Sequence, residues 1–133
     1  MAFLPAVLMT AGIAFLSLWE QPHLPQEIAM HDKIMHGLMY TVLAVSWMAP
    51  IGKSHVSNLK FQIRSAVWVC IGATTYGGLM EILQRFCTRT RSGELADLYA
   101  DAIGAFIGVV IVVVITKSRN HVSTNQSPIT NHQ

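Results

Sequence analysis

Four apolar runs divide this chain, at residues 2–19, 34–51, 65–83 and 98–116, each 18 or 19 residues long. A helix crossing the hydrocarbon of a bilayer needs ~20 apolar residues. Backbone polar groups in lipid must be satisfied within the segment, so the runs are expected as helices. Charged residues make up only 12% of the 133, about half the ~25% usual in soluble domains. The expected fold is an all-α integral membrane protein, a four-helix transmembrane bundle spanning residues 1–117. The segment 118–133 is rich in Ser, Thr, Asn and Gln and is expected to be a disordered tail.

The first run resembles a signal peptide in position only. It has no basic start, is longer than a usual apolar core, and is followed by Glu20, Pro22 and Pro25. It reads as a helix, with Pro5 tolerated in the first turn and Trp19 as an interface anchor. Pro50 and Gly52 are expected to end the second run.

Four spans place both termini on one side, with Lys53, Lys60, Arg64, Lys117 and Arg119. The other side carries Lys33, Arg85, Arg89 and Arg91. Basic residues favour the cytoplasmic side, so the termini are expected there. The net charge of +2 is spread over several loops and gives no nucleic-acid footprint. Cys70 and Cys87 lie about 25 Å apart on one continuous helix, too far for a disulfide.

The few polar residues inside the runs fall into register. On the second helix Asp32, His36 and Tyr40 are spaced i, i+4, i+8 and share a face. On the third, Thr74, Gly77, Glu81, Gln84 and Thr88 form a stripe, and on the fourth Asp97, Asp101, Gly104 and Gly108 form another. In antiparallel order His36, Glu81 and Asp101 come to one depth near one face. Ionisable groups within a membrane mark a site by default. Ala100, Gly104 and Gly108 make a small-residue ladder suited to close helix contact. Each polar residue also has a structural reading. His36 can bond a neighbouring helix, Glu81 can pair with Arg85 at i+4, and Asp97 and Asp101 can cap the fourth helix or pair with Arg91.

These same residues carry a family resemblance. Asp32-Lys33-Ile34-Met35-His36-Gly37-Leu38-Met39-Tyr40 resembles the DKxxHxxxY motif of the VanZ-like membrane proteins. Tyr76-Gly77, Glu81, Gln84 and Phe86 resemble the family's yGxxxExxQxf motif, and Arg91, Asp97 and Gly104 its R-x5-D-x6-G pattern. The family often has Asn where this chain has Asp101, which adds a charge. The resemblance implies a small polytopic protein of the bacterial cytoplasmic membrane, associated with the cell envelope. The family's name-giving member is linked to teicoplanin resistance, a role that resemblance alone does not transfer.

Three functions compete. The first is binding of an anionic lipid-linked or cell-wall group at the outer leaflet. Asp32, Lys33, His36, Tyr40, Glu81, Gln84, Arg85, Arg89, Arg91, Asp97 and Asp101 are the ligand-binding candidates, the arginines meeting phosphate or carboxylate. The second is an intramembrane enzyme acting on a head group, with His36 and Glu81 as acid and base and Asp97 or Asp101 orienting the histidine. A metal on His36, Glu81 and Asp101 is possible by ligand chemistry. With one histidine and no HExxH spacing, no metal or cofactor is expected. The third is a small transporter, disfavoured by a cluster near one face and no inverted repeat. Membrane lipids are the expected partners, with a homo-oligomer possible.

Overall fold

The computed structural model describes residues 2–19, 29–53, 58–88 and 94–125. Among these the chain is all helix: α1 (Leu4–Leu18), α2 (Ala29–Lys53), α3 (Leu59–Cys87) and α4 (Leu95–Asn125). The last three are long and apolar enough to cross a membrane. α1 has 15 residues. At 1.5 Å per residue it rises about 22 Å, short of the ~30 Å hydrocarbon core. Three spanning-length helices and one shorter apolar helix therefore stand where the sequence suggests four equal spans. Pro5 sits at the start of α1, and Trp19 is already extended at its end.

The other helices outrun their apolar cores. α2 begins before the apolar run, with Asp32 in its first turn, where a carboxylate suits the helix dipole. It passes through Pro50 to Lys53 rather than stopping at the proline. So near the C-terminus the missing N–H interrupts little of the ladder. α3 is capped by Asn58, whose side chain accepts the Lys60 N–H at 3.0 Å, and ends at Thr88, whose N–H reaches the Gln84 carbonyl. α4 continues to Asn125, well into the segment expected as a disordered tail. Extending a formed helix adds one hydrogen bond per residue.

Packing is closest between α2 and α4. A Cβ on Gly104 would collide with the backbone of Gly37, and one on Gly108 would lie 2.5 Å from the Thr41 carbonyl oxygen. The small-residue ladder therefore faces α2. The Thr41 hydroxyl lies 2.8 Å from the Gly37 carbonyl oxygen and 3.0 Å from that of Gly104, bridging the two helices. Below it Tyr40, Leu43, Ala44 and Met48 of α2 pack with Ala105, Val109 and Val112 of α4.

α1 rests on α2 and α3 and makes no contact with α4. Three polar clips hold it. Tyr76 donates to the Thr10 carbonyl at 2.6 Å, Trp47 to the Thr10 hydroxyl at 3.4 Å, and Gln84 to the Ser17 carbonyl at 3.1 Å. A largely apolar cleft of about 360 Å³ opens between the three helices, lined by Thr10, Leu43, Trp47, Trp68, Ala73 and Tyr76.

The surface is apolar and the interior partly charged. Leu8, Phe15, Trp68, Ile71, Phe106 and Ile115 are exposed, whereas His36, Glu81, Asp97 and Asp101 are buried. Water would not leave such a surface uncovered, whereas lipid covers it at no cost. The chain is a helical membrane protein.

Candidate functional site

The glycine seam between α2 and α4 decides where the polar residues meet. His36, next to Gly37 on α2, faces Asp101, one turn before Gly104 on α4. Nδ1 of His36 lies 3.1 Å from Oδ1 of Asp101, with side chains 5% and 1% exposed. Facing a carboxylate, the imidazole nitrogen is the donor. Tyr40, a further turn along α2, is fully buried, and its ring stands 6.4 Å from that of Tyr76.

α3 closes the third side. A Cβ on Gly77 would sit 2.5 Å from Oδ2 of Asp101. The glycine thus makes the space this carboxylate occupies. Glu81, one turn nearer the helix end, is also buried. Its Oε2 accepts the backbone N–H of Glu94 at 2.9 Å, tying the end of α3 to the start of α4. Glu94 in turn receives the N–H of Asp97 on its carbonyl at 3.1 Å, while its carboxylate receives Lys33 Nζ at 3.0 Å.

Three helices therefore bring His36, Glu81 and Asp101 together, with one ligating atom from each within 4.8 Å of the others. Asp32, His36 and Asp97 form a second such group that shares the histidine. Hydrogen bonding leaves this centre incomplete. Oε1 of Glu81, Oδ1 of Asp97 and Oδ2 of Asp101 are buried without a hydrogen-bond partner. Lys33 approaches Asp97 only to 3.8 Å, beyond hydrogen-bonding range. A buried unpartnered polar atom costs about 1–3 kcal/mol, and more when charged. Three gathered in one cluster call for a common explanation, such as a bound ion.

The other expected residues fall differently. Lys33 is half-exposed at the rim and engages Glu94 and Asp97. Gln84 spends its amide on the Ser17 carbonyl and so holds α1. Arg85 is exposed and forms no ion pair with Glu81 or any other acid among the described residues. Arg89 and Arg91 lie outside the described residues, as does the expected pairing of Arg91 with Asp97 or Glu81. Glu94 was not among the sequence candidates. Its one signal is an acid three residues before Asp97, at the start of the fourth helix.

Chemically, the site offers an imidazole hydrogen-bonded to a carboxylate, a second carboxylate beside them and a third at the rim. It suits proton transfer or the gathering of a cation. No family model, no curated protein and no solved structure matches this chain.

Proposed function

We propose that this chain is a VanZ-like protein of the bacterial cytoplasmic membrane that binds the anionic head group of a lipid-linked or cell-wall group at the outer leaflet. In this reading α1 completes a four-span bundle, both termini are cytoplasmic, and the protein belongs to the cell envelope. One observation carries the proposal: His36, Glu81 and Asp101 from three helices meet in a buried cluster whose carboxylate oxygens are left unpartnered. The cluster lies about two turns inside the helix ends, roughly 10 Å at 1.5 Å per residue. That is the depth of a head group and its first acyl atoms. Lys33 stands at the rim, Arg85 lies one turn beyond Glu81 on α3, and Arg89 and Arg91 follow in sequence. These cations draw an anion to the membrane face, as arginine forks do for phosphate.

The test is lipid retention. The purified chain is offered phosphatidylglycerol, a polyprenyl phosphate and phosphatidylcholine, and bound lipid is counted by native mass spectrometry. The expected result is preferential retention of the two lipids of net negative charge, weakened in Arg85→Ala at low ionic strength. Equal retention of all three lipids overturns the proposal. Reporter fusions after residues 58, 92 and 125 test the orientation. Cytoplasmic signals at 58 and 125 with an external one at 92 are expected, and the reverse pattern refutes it.

A second reading, acid–base catalysis on the head group, is favoured by the 3.1 Å contact between His36 and Asp101. It predicts release of a modified lipid during incubation, which binding alone does not.

A further inference from the structure

An acidic cluster is an unusual place to receive an anion. Among the described residues, the basic side chain beside it is Lys33. It is committed to Glu94 at 3.0 Å and reaches Asp97 only at 3.8 Å. No ion pair joins Lys33 to Glu81 or Asp101. The interior of the site is left with one imidazole and several carboxylate oxygens. Two of those oxygens, on Glu81 and Asp101, are unpartnered on side chains more than nine-tenths buried.

We infer that His36, Glu81 and Asp101 bind a divalent first-row metal ion, and that this ion meets the phosphate of the head group. The second half rests on the function proposed above. The first half stands without it.

The geometry suits an ion. Three donor atoms no more than 4.8 Å apart have a common point within about 2.8 Å of each. Bonds of about 2.0–2.2 Å are typical for nitrogen and oxygen ligands of zinc, so small side-chain rotations close the gap. His36 and Asp101 are nearer still, at 3.1 Å, and an ion held by both would replace the Nδ1 proton that now lies between them. The donor set points to the metal class. Imidazole favours zinc and its neighbours, whereas carboxylates favour manganese, magnesium and calcium. One imidazole with two carboxylates lies between, which suits Mn²⁺ or Zn²⁺.

The surroundings hold these ligands in place. Oε2 of Glu81 is fixed by the Glu94 N–H, leaving Oε1 for an ion. Asp101 is seated against Gly77. Asp97 offers a further unpartnered oxygen at the rim, in a donor group that shares His36. Lys33 and Glu94, paired at 3.0 Å, are both partly exposed beside the cluster. Three protein ligands leave open positions, and a phosphate oxygen is a natural occupant of one. Such an ion would supply the missing partner to the carboxylate oxygens and the positive charge that an anionic head group requires.

The experiment uses the full chain in lipid nanodiscs, stripped with EDTA and titrated with Mn²⁺ alone. Binding is followed by electron paramagnetic resonance, and Zn²⁺ is then added as competitor. One saturable Mn²⁺ per chain is expected, displaced by Zn²⁺, with pulsed resonance showing nitrogen coupling from an imidazole. Glu81→Gln and Asp101→Asn should each weaken binding at least tenfold, and His36→Gln should abolish the nitrogen coupling. The coupling in the unaltered protein requires no variant to fold. No saturable Mn²⁺ or Zn²⁺ site, or a site unaffected by all three substitutions, overturns the inference. Lipid retention measured with and without EDTA separates the two claims. Phosphate lipid retained after EDTA, with no metal site, refutes the ion and keeps the binding function. A metal site with no preference for phosphate lipids keeps the ion and refutes the function.

Discussion

Two neighbouring stretches of the same α2–α4 contact treat polar atoms in opposite ways. At Gly37, Thr41, Gly104 and Gly108 the backbones touch, and the Thr41 hydroxyl bridges the carbonyls of Gly37 and Gly104. At His36 and Asp101 the same helices bury a carboxylate with one oxygen bonded and the other unpartnered. The seam is what packing energy alone would select. The cluster carries a burden that packing does not explain, and it survives because the seam beside it holds the helices together. Strain or unmet polarity at a site, offset by a well-made neighbour, is how functional residues are usually retained.

The largest expected effect comes from breaking the seam. Gly104→Val places a branched side chain where even a Cβ meets the Gly37 backbone. Overpacking typically costs about 1–3 kcal/mol, and a backbone cannot move aside as a side chain can. Loss of folded protein on extraction, measured by size-exclusion chromatography and thermal unfolding, is the expected outcome. His36 and Asp101 should separate with the helices. A folded Gly104→Val protein with normal stability would mean that α2 and α4 do not approach this closely.

Next is the opposite change, made in the cluster. Asp97→Asn removes a buried charge while keeping the side chain's shape. If the cluster is maintained for a ligand, ligand-free stability should hold or rise, by about 1 kcal/mol, because burying a charge without full pairing is unfavourable. Binding of Mn²⁺ should fall, and with it the retention of lipid of net negative charge. Seam variants lose both properties together, whereas cluster variants separate them. A drop in stability for Asp97→Asn as large as for Gly104→Val would erase the distinction between the two regions.

Much of this contrast is legible in the sequence. The 3.6-residue period places Asp32, His36 and Tyr40 on one face of α2, and Gly77 beside Glu81 on α3. It places Asp101 in line with Gly104 and Gly108 on α4. These are local regularities, and a helix preserves them. What escapes is tertiary. Glu94 precedes the first turn of α4, outside any helical period, so nothing local shows that its N–H meets Glu81 thirteen residues earlier. Gln84 lies on the same stripe as Glu81, yet bonds to Ser17 of α1, a partner no spacing rule supplies. The unpartnered oxygens are invisible for the same reason, since satisfaction of a polar atom depends on all its neighbours. The apolar run 2–19 and the helix Leu4–Leu18 nearly coincide, and the extended backbone at Trp19 marks where the helix stops.

A smaller effect is expected within the seam itself. Thr41→Val keeps the shape and removes the hydroxyl that links Gly37 and Gly104. Interhelical hydrogen bonds in membranes average about 0.6 kcal/mol and reach about 1.7. A loss in that range, read from reversible unfolding in detergent, would show that backbone contact rather than this bond dominates the seam. A loss well above it would give the hydroxyl the leading part.

The smallest effect on stability belongs to Arg85. It is exposed at the end of α3 and has no ion-pair partner among the described residues, so Arg85→Ala should change stability by no more than about 0.5 kcal/mol. Its influence should instead appear in ligand capture. An exposed cation acts through solvent, over a distance that shrinks to about 10 Å at 0.1 M salt. Retention of phosphatidylglycerol should therefore fall in Arg85→Ala at low ionic strength, and the difference from the unaltered protein should vanish as salt is raised. Glu81→Gln, by loosening the proposed ion, should weaken retention at every salt concentration, because that ion's contacts are buried and poorly screened. The two variants thus divide the polar end into an outer, salt-sensitive rim and an inner, salt-insensitive cluster. Identical salt dependence in both would mean that one screened surface does all the binding and that the buried cluster takes no part in it.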